Sequence, residues 1–344
     1  MTPRMPAESE PHARTWMAYP REGYSLGDTQ AERHEARSAW AAVANAIVDF
    51  EPVTVVVDPA ELTHARHYLA GAVEIVEAPL NDAWMRDIGP TFVLGSDGRP
   101  RAVNWVFNGW GAQDWARWDK DEKIGAFVAE QAGALRVDSP LVNEGGGIQT
   151  DGAGTVLVTE TVQLDQGRNP GWTKAGVEAE LARTIGAEKV IWLPRGLTRD
   201  FERFGTRGHV DIVAAIPSAG RVLVHDQRDP AHPDHAVSQE AIALLSQSVD
   251  ASGRTFTVVP VPAPKILEDD EGWTDYSYIN HYVANGAVIA CMFDDPNDQV
   301  AADILADAYP GREIVPVDAR PIFSRGGGIH CITQNEPAAQ SVSG

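Results

Sequence analysis

Five short segments of this chain carry side chains that can do chemistry. They are Asn81-Asp82-Ala83-Trp84-Met85-Arg86-Asp87, Asn143-Glu144-Gly145-Gly146-Gly147, Gly208-His209-Val210-Asp211, Tyr278-Ile279-Asn280 and Gly326-Gly327-Gly328-Ile329-His330-Cys331. A thiol, an imidazole and several carboxylates are the groups that nucleophilic and acid–base chemistry uses. His209 and Asp211 are two residues apart. On a strand they would share a face, about 6–7 Å apart along it, and both could touch one small ligand. Cys331 and Glu144 each sit beside a triple glycine, and glycine lets backbone come close to a ligand. Taken singly, each feature has a plain structural reading. His-x-Asp often opens a strand, and a lone cysteine is often a small buried apolar residue. Their recurrence at one place in successive units points instead to a shared cleft.

Those units are visible in the hydrophobic pattern. Amphipathic helix, short apolar strand, Gly- or Pro-rich loop and hairpin follow one another along the chain. Val177, Leu181 and Ile185 mark one helical face, before a strand over 190–193. Strands over 211–216 and 221–224 come next, then a helix over 237–245 and a strand over 256–259. Ala284-Asn285-Gly286 joins two apolar runs and predicts a hairpin. Further copies are a helix at 124–128 with strands at 135–137, 148–150 and 155–158, and strands at 73–76, 91–94 and 102–105. The last copy has a helix at 300–305 and strands at 313–317 and 329–332. The strand at 329–332 lacks a return partner, and so does the apolar segment 15–19. Pairing these two ends, with the helix at 31–48 and the strand at 53–57, would close five units into a ring. Equivalent loops would then meet near its axis. No composition shift marks a linker, so one domain over 1–344 is expected. A doubly wound α/β protein in two lobes is the alternative.

Composition narrows the function. The chain has 344 residues, 43% of them hydrophobic, enough for a large core. It carries 28 Lys and Arg against 49 Asp and Glu, a formal net charge of −21. Such a surface repels nucleic acid and anionic membranes and tolerates a cationic small substrate. Two cysteines exclude a disulfide scaffold or a Cys-rich zinc site. The polar N-terminus and the lack of a long apolar run predict a cytoplasmic protein.

The quoted segments, together with Pro6-Ala7-Glu8-Ser9-Glu10-Pro11-His12, Thr15-Trp16-Met17-Ala18-Tyr19-Pro20, Trp105-Val106-Phe107-Asn108-Gly109-Trp110-Gly111 and Trp118-Asp119-Lys120-Asp121, run in one order over roughly 6–337. In that order they resemble the agmatine deiminase and bacterial peptidylarginine deiminase-like family of guanidine-modifying enzymes. The resemblance implies an α/β fold, the five-bladed β/α propeller (pentein) of ββαβ units with pseudo-fivefold symmetry. It implies Cys331 as a nucleophile forming a covalent amidino intermediate, His209 as general acid and base, and Asp87 and Asp211 as the grip on the guanidinium. Glu144 would join the same cluster, and Trp84 would wall the pocket. A planar guanidinium with fixed N–H donors suits paired carboxylates. No cofactor or metal is implied, and a homo-oligomer stays open.

The resemblance also shows departures. Arg207 stands where agmatine deiminases often have an acid, Ile212 where Asn is usual, Gln149 for His, Ile88 for Thr, and Gly328 for Asn. If Arg207 faced the pocket, it would favour a guanidino acid or arginine over agmatine. The leading expected reaction is agmatine and water to N-carbamoylputrescine and ammonia, on the way to putrescine. Deimination of another guanidino compound, free or peptidyl arginine included, an amidinotransferase on the same fold, and a guanidino-binding protein without activity are the rivals. His64 with His67, and His232 with His235, have metal-like spacing but no patterned partner, and are expected to be structural. Trp105, Trp110, Trp115 and Trp118 are expected to pack around a hairpin and loop, with the substrate entrance as a second role. Cys291 is expected to be a core residue.

Overall fold

The computed structural model describes residues 3–270 and 272–340. It is a mixed α/β structure in which one pattern recurs. A tight antiparallel hairpin leads into a helix, and the helix returns the chain to a strand parallel to the hairpin's second arm. Thr91–Leu94, Pro100–Val106 and Leu135–Val142 form one such sheet. Gln149–Thr150, Thr155–Thr159 and Lys189–Leu193 form the next. Ala214–Ser218, Arg221–Asp226 and Thr257–Pro262 follow, then Tyr282–Ala284, Ala287–Met292 and Glu313–Asp318.

A four-stranded sheet joins the two ends of the chain. Thr333–Pro337 runs antiparallel to His12–Ala18, which lies parallel to Val53–Val57, itself parallel to Glu74–Glu77. The end-to-end pairing expected from the unpaired apolar pieces is therefore present. Trp16 faces Gln334 across it, and the Trp16 indole donates to Glu336 at 2.8 Å.

Local chemistry explains these elements. Val53–Val57 and Thr155–Thr159 are buried at every position, as suits β-branched strands covered on both faces. The helix Gln30–Ile47 opens on a capping box between Thr29 and Glu32. The helix Lys174–Ile185 ends at Gly186, whose φ is +74°. A Cβ there would collide with the Pro3 carbonyl oxygen, so both conformation and space demand glycine.

Two expectations need correction. Residues 329–332 form a turn, and the closing strand starts four residues later than expected, at Thr333. The Thr333 hydroxyl is bonded to the carbonyls of Ile329 and His330, which stabilises the turn and leaves Cys331 outside the ladder. Likewise His209 and Asp211 do not lie on a strand. Val210–Ile212 is a 3-10 turn, and the strand begins at Ala214. The reason lies upstream. The buried Asp200 carboxylate accepts the backbone N–H groups of Thr206, Gly208 and His209 and winds this segment into a loop.

Gly186→Ala should lower stability by about 1–3 kcal/mol with little change in circular dichroism. Chemical denaturation of the two proteins measures it.

Candidate active site

Each of the five chemistry-bearing segments precedes an edge strand of its sheet, and the five are tied to one another in a cycle. Arg86 N–H donates to Cys331 O at 3.1 Å. Gly146 N–H donates to Asp87 Oδ1 at 3.2 Å. His209 Nε2 lies 3.2 Å from Glu144 Oε2. Asn280 Nδ2 donates to the Asp211 carbonyl at 3.3 Å, and His330 N–H donates to Asn280 O at 3.0 Å. The loops thus meet as the sequence pattern predicts.

Cys331, His209, Asp87, Asp211 and Glu144 are all buried. Cys331 Sγ lies 3.6 Å from Asp211 Oδ2 and 3.5 Å from Asn280 Oδ1. Asp87 Oδ2 accepts the Trp110 indole N–H at 2.9 Å. His209 Nδ1 is 3.8 Å from Asp87 Oδ1. The glycine triplets make this density possible. A Cβ on Gly146 would collide with His209 Nδ1. One on Gly327 would stand 2.7 Å from the Trp84 ring and 3.1 Å from Cys331 Sγ. Trp84 is buried and packs edge-on against Trp40.

Three carboxylates in so small a space disturb every ionisation. Burial pushes Asp87 up, to about 6, against the pull of His209. Burial also works against a charge on His209, but Asp87, Glu144 and Asp211 outweigh it and raise the imidazole to about 9. Glu144 is likewise opposed by burial, yet Arg168 and His209 hold it below its ordinary value. Asp211 is held low by His330 despite its burial. The Cys331 thiol is pushed well up, by burial first and then by Asp211 and Asp87. These shifts favour the protonated form of both the Cys331 thiol and the His209 imidazole at neutral pH. Four side-chain atoms of the described residues in these segments are buried without a hydrogen-bond partner, Asp211 Oδ1, His209 Nδ1, Arg86 Nη2 and Asn143 Nδ2.

Some residues were not foreseen. Arg168 Nε donates to both Glu144 oxygens at 3.0 Å, while its other nitrogens reach Asp165 and the Thr206 carbonyl. It sits in a loop without hydrophobic periodicity, and no spacing pattern marks it. His330 and Glu8 also enter the cluster, His330 Nδ1 lying 2.8 Å from Asp211 Oδ2 and Nε2 2.8 Å from Glu8 Oε1. Arg207 behaves differently from its expectation. Its side chain is exposed, at a backbone φ of +70°, and makes none of the cluster's hydrogen bonds or ion pairs. A Cβ on Gly328 would meet Asn280 and Phe323, and its backbone hydrogen-bonds the Cys331 thiol. Ile88, Gln149 and Ile212 are buried beside the loops.

Trp110 also lines a cavity of about 430 Å³ with Arg21, Tyr24, Asn81, Asp82 and Trp115. The Tyr24 ring stacks on Phe204 with centroids 3.6 Å apart. Of the four tryptophans, Trp110 and Trp115 line this cavity, whereas Trp105 donates to Thr91 inside a hairpin. His64 and His67 are exposed on the helix Leu62–Tyr68. His232 and His235 bond to separate backbone carbonyls. Cys291 is buried and donates to Asn280 O.

Residues 4–337 match the Porphyromonas-type peptidyl-arginine deiminase family. The chain is 56% identical over 338 residues to a Streptomyces coelicolor protein provisionally named an agmatine deiminase, covering 98% of this chain and 99% of that one. It is 39% identical over 359 residues to the agmatine deiminase of Pseudomonas fluorescens, covering 97% and 95%. The solved agmatine deiminase of Enterococcus faecalis superposes with a TM-score of 0.91 at 32% identity, covering 98% of this chain and 96% of that one.

Arg168→Met should destabilise the fold by about 3–5 kcal/mol, because it leaves the buried Glu144 without its cation. Denaturant titration checks this, and a loss below about 1 kcal/mol would contradict the role given to the pair.

Proposed function

Because the chain belongs to the Porphyromonas-type peptidyl-arginine deiminase family, we propose that it is a guanidine deiminase and that agmatine is its substrate. The observation that carries this reading is the unpartnered buried carboxylate oxygen Asp211 Oδ1, in a cluster where the same side chain's other oxygen lies 3.6 Å from the Cys331 thiol. A guanidinium brings N–H donors for the free carboxylate oxygen and the positive charge that three buried carboxylates call for. We read the five sheets as the blades of a propeller forming one catalytic domain, with the site at the blade axis. The buried cluster suits a small free guanidino compound.

The steps follow from the charge states. Asp87 and Asp211 hold the cation with its central carbon beside Cys331. The bound charge lowers the thiol pKa, so Cys331 releases its proton to solvent and becomes a thiolate only in the complex. Sulfur attacks the central carbon. His209, already protonated, gives its proton to the departing nitrogen, and ammonia leaves as the C–N bond breaks. An amidino group remains on sulfur. The now neutral His209 takes a proton from water, the hydroxide attacks the same carbon, and the C–S bond breaks as the new C–OH becomes C=O and its proton returns to sulfur. The products are N-carbamoylputrescine and ammonia. Glu144 keeps His209 aligned and charged, and Trp84 closes the apolar side of the pocket.

Agmatine should yield equimolar ammonia and ureido product, and Cys331→Ser should abolish both. An excess of an acceptor amine should leave the ureido yield unchanged, whereas a transferase would form a new guanidine. Binding without ammonia would overturn the reading.

The pH profile of kcat/KM should be bell-shaped. Below about 6 Asp87 takes up a proton and loses its hold on the cation. Above about 9 His209 loses the proton it must give to the leaving group. Both limbs belong to the coupled cluster, and His209→Asn should remove the alkaline limb along with most of the activity.

A further inference from the structure

Asp211 is oriented by a chain of alternating charges that starts at the N-terminal segment. Arg86 Nη1 donates to Glu8 Oε1 at 3.2 Å. The same Glu8 oxygen lies 2.8 Å from His330 Nε2. His330 Nδ1 lies 2.8 Å from Asp211 Oδ2. The chain reads cation, anion, cation, anion, and its last member turns its other oxygen, Oδ1, into the site without a partner. We propose that Glu8 is a positioning residue which, through His330, holds Asp211 as a carboxylate with Oδ1 presented to the guanidinium.

The geometry makes Glu8 the member that decides. An imidazole with a carboxylate at each nitrogen donates on both sides only when it is protonated. One carboxylate satisfies one nitrogen, and a neutral ring could then turn or exchange tautomers. The second carboxylate locks the ring plane and fixes the Asp211 rotamer. His330 is also held by its backbone, its N–H on Asn280 and its carbonyl accepting Arg86 Nε at 3.3 Å. The ring therefore cannot follow Asp211 if that side chain moves.

The charges facing His330 are Asp211, Glu8, Arg86 and His281. Burial and Arg86 oppose its protonation, and Glu8 with Asp211 outweighs them and raises it. His281 is kept neutral near neutral pH, lowered by burial to about 4. Asp211 also feels His209 and Arg86, and both favour its ionised form. Without Glu8, His330 keeps one carboxylate against burial and Arg86, so its pKa falls. His330 is next to Cys331, so its ring also fixes the direction in which the thiol loop enters the site.

This inference rests on the deiminase reading, and its test separates the two. Glu8→Gln, Glu8→Asp and Asp211→Asn are made singly, and Glu8→Gln is combined with Asp211→Asn, all on a Cys331→Ser background that cannot turn over. Nitrogen-15 imidazole resonances report the charge of His330 without any ligand. Calorimetry then reports agmatine affinity. His330 should be doubly protonated at neutral pH in the parent and singly protonated in Glu8→Gln. Glu8→Gln should weaken agmatine about tenfold, within the range of coupling inside one polar network. Glu8→Asp should recover most of that loss. The double variant should bind no more weakly than Asp211→Asn alone. Unchanged His330 resonances in Glu8→Gln, or penalties that simply add, would overturn the inference. If Glu8→Gln fails to fold, Glu8→Asp decides alone. A lowered His330 pKa must then come with lowered affinity, and lowered pKa with unchanged affinity overturns the proposal. Failure of the Cys331 protein to release ammonia counts against the deiminase reading, whereas the ligand-free His330 measurement decides the role of Glu8 by itself.

Discussion

Three carboxylates buried around one thiol set the terms for everything else in this protein. An ionised carboxylate taken out of water costs several kcal/mol unless a cation and hydrogen bonds compensate. Each of the three is compensated differently. Glu144 has Arg168 in a two-oxygen contact. Asp211 has His330 on one oxygen and nothing on the other. Asp87 has an indole N–H and a backbone N–H and is lifted toward partial protonation. The compensation is graded, complete at Glu144 and incomplete at the two aspartates. That is what a cation-binding site requires, because a fully neutralised pocket has no reason to bind a positive ligand.

The same arrangement controls the nucleophile. Burial first, and then Asp211 and Asp87, push the Cys331 thiol well above its ordinary value, which favours the less reactive protonated form. On the proposed mechanism a bound guanidinium would reverse the local field, so the substrate itself would help to ionise sulfur and a ligand without a positive charge would leave the thiol protonated. The repeated sheets make this possible. No single segment could bring five such groups together, but five loops in equivalent places are tied side to side into a cycle by backbone and side-chain hydrogen bonds, the His209–Glu144 contact among them. The pairing of Thr333–Pro337 with His12–Ala18 brings Cys331, near the end of the chain, against Arg86.

Much of this was legible in the sequence. Hydrophobic periodicity gave the helices and strands of the repeat, because burial on one face leaves a regular trace. Chemistry-bearing residues stood in matching places, so their convergence could be read. The limits have physical causes. His209 and Asp211 were expected on a strand, but Asp200 gathers the preceding N–H groups into a loop, and a capping carboxylate nine residues away leaves no periodic mark. Arg168, Glu8 and His330 act through contacts distant in sequence. A buried arginine in a loop looks like any surface arginine until its partner is known. Arg207 shows the converse, a conspicuous residue whose neighbours leave it in solvent.

The claim that a bound cation ionises the nucleophile can be measured directly. Stopped-flow ultraviolet absorbance, with Cys331→Ser as the blank, follows thiolate formation on mixing with agmatine at neutral pH. The account predicts no Cys331 thiolate in the free protein and a rise in thiolate absorbance within the binding phase. A thiolate already present before agmatine arrives, or a bound complex that forms none, would contradict it.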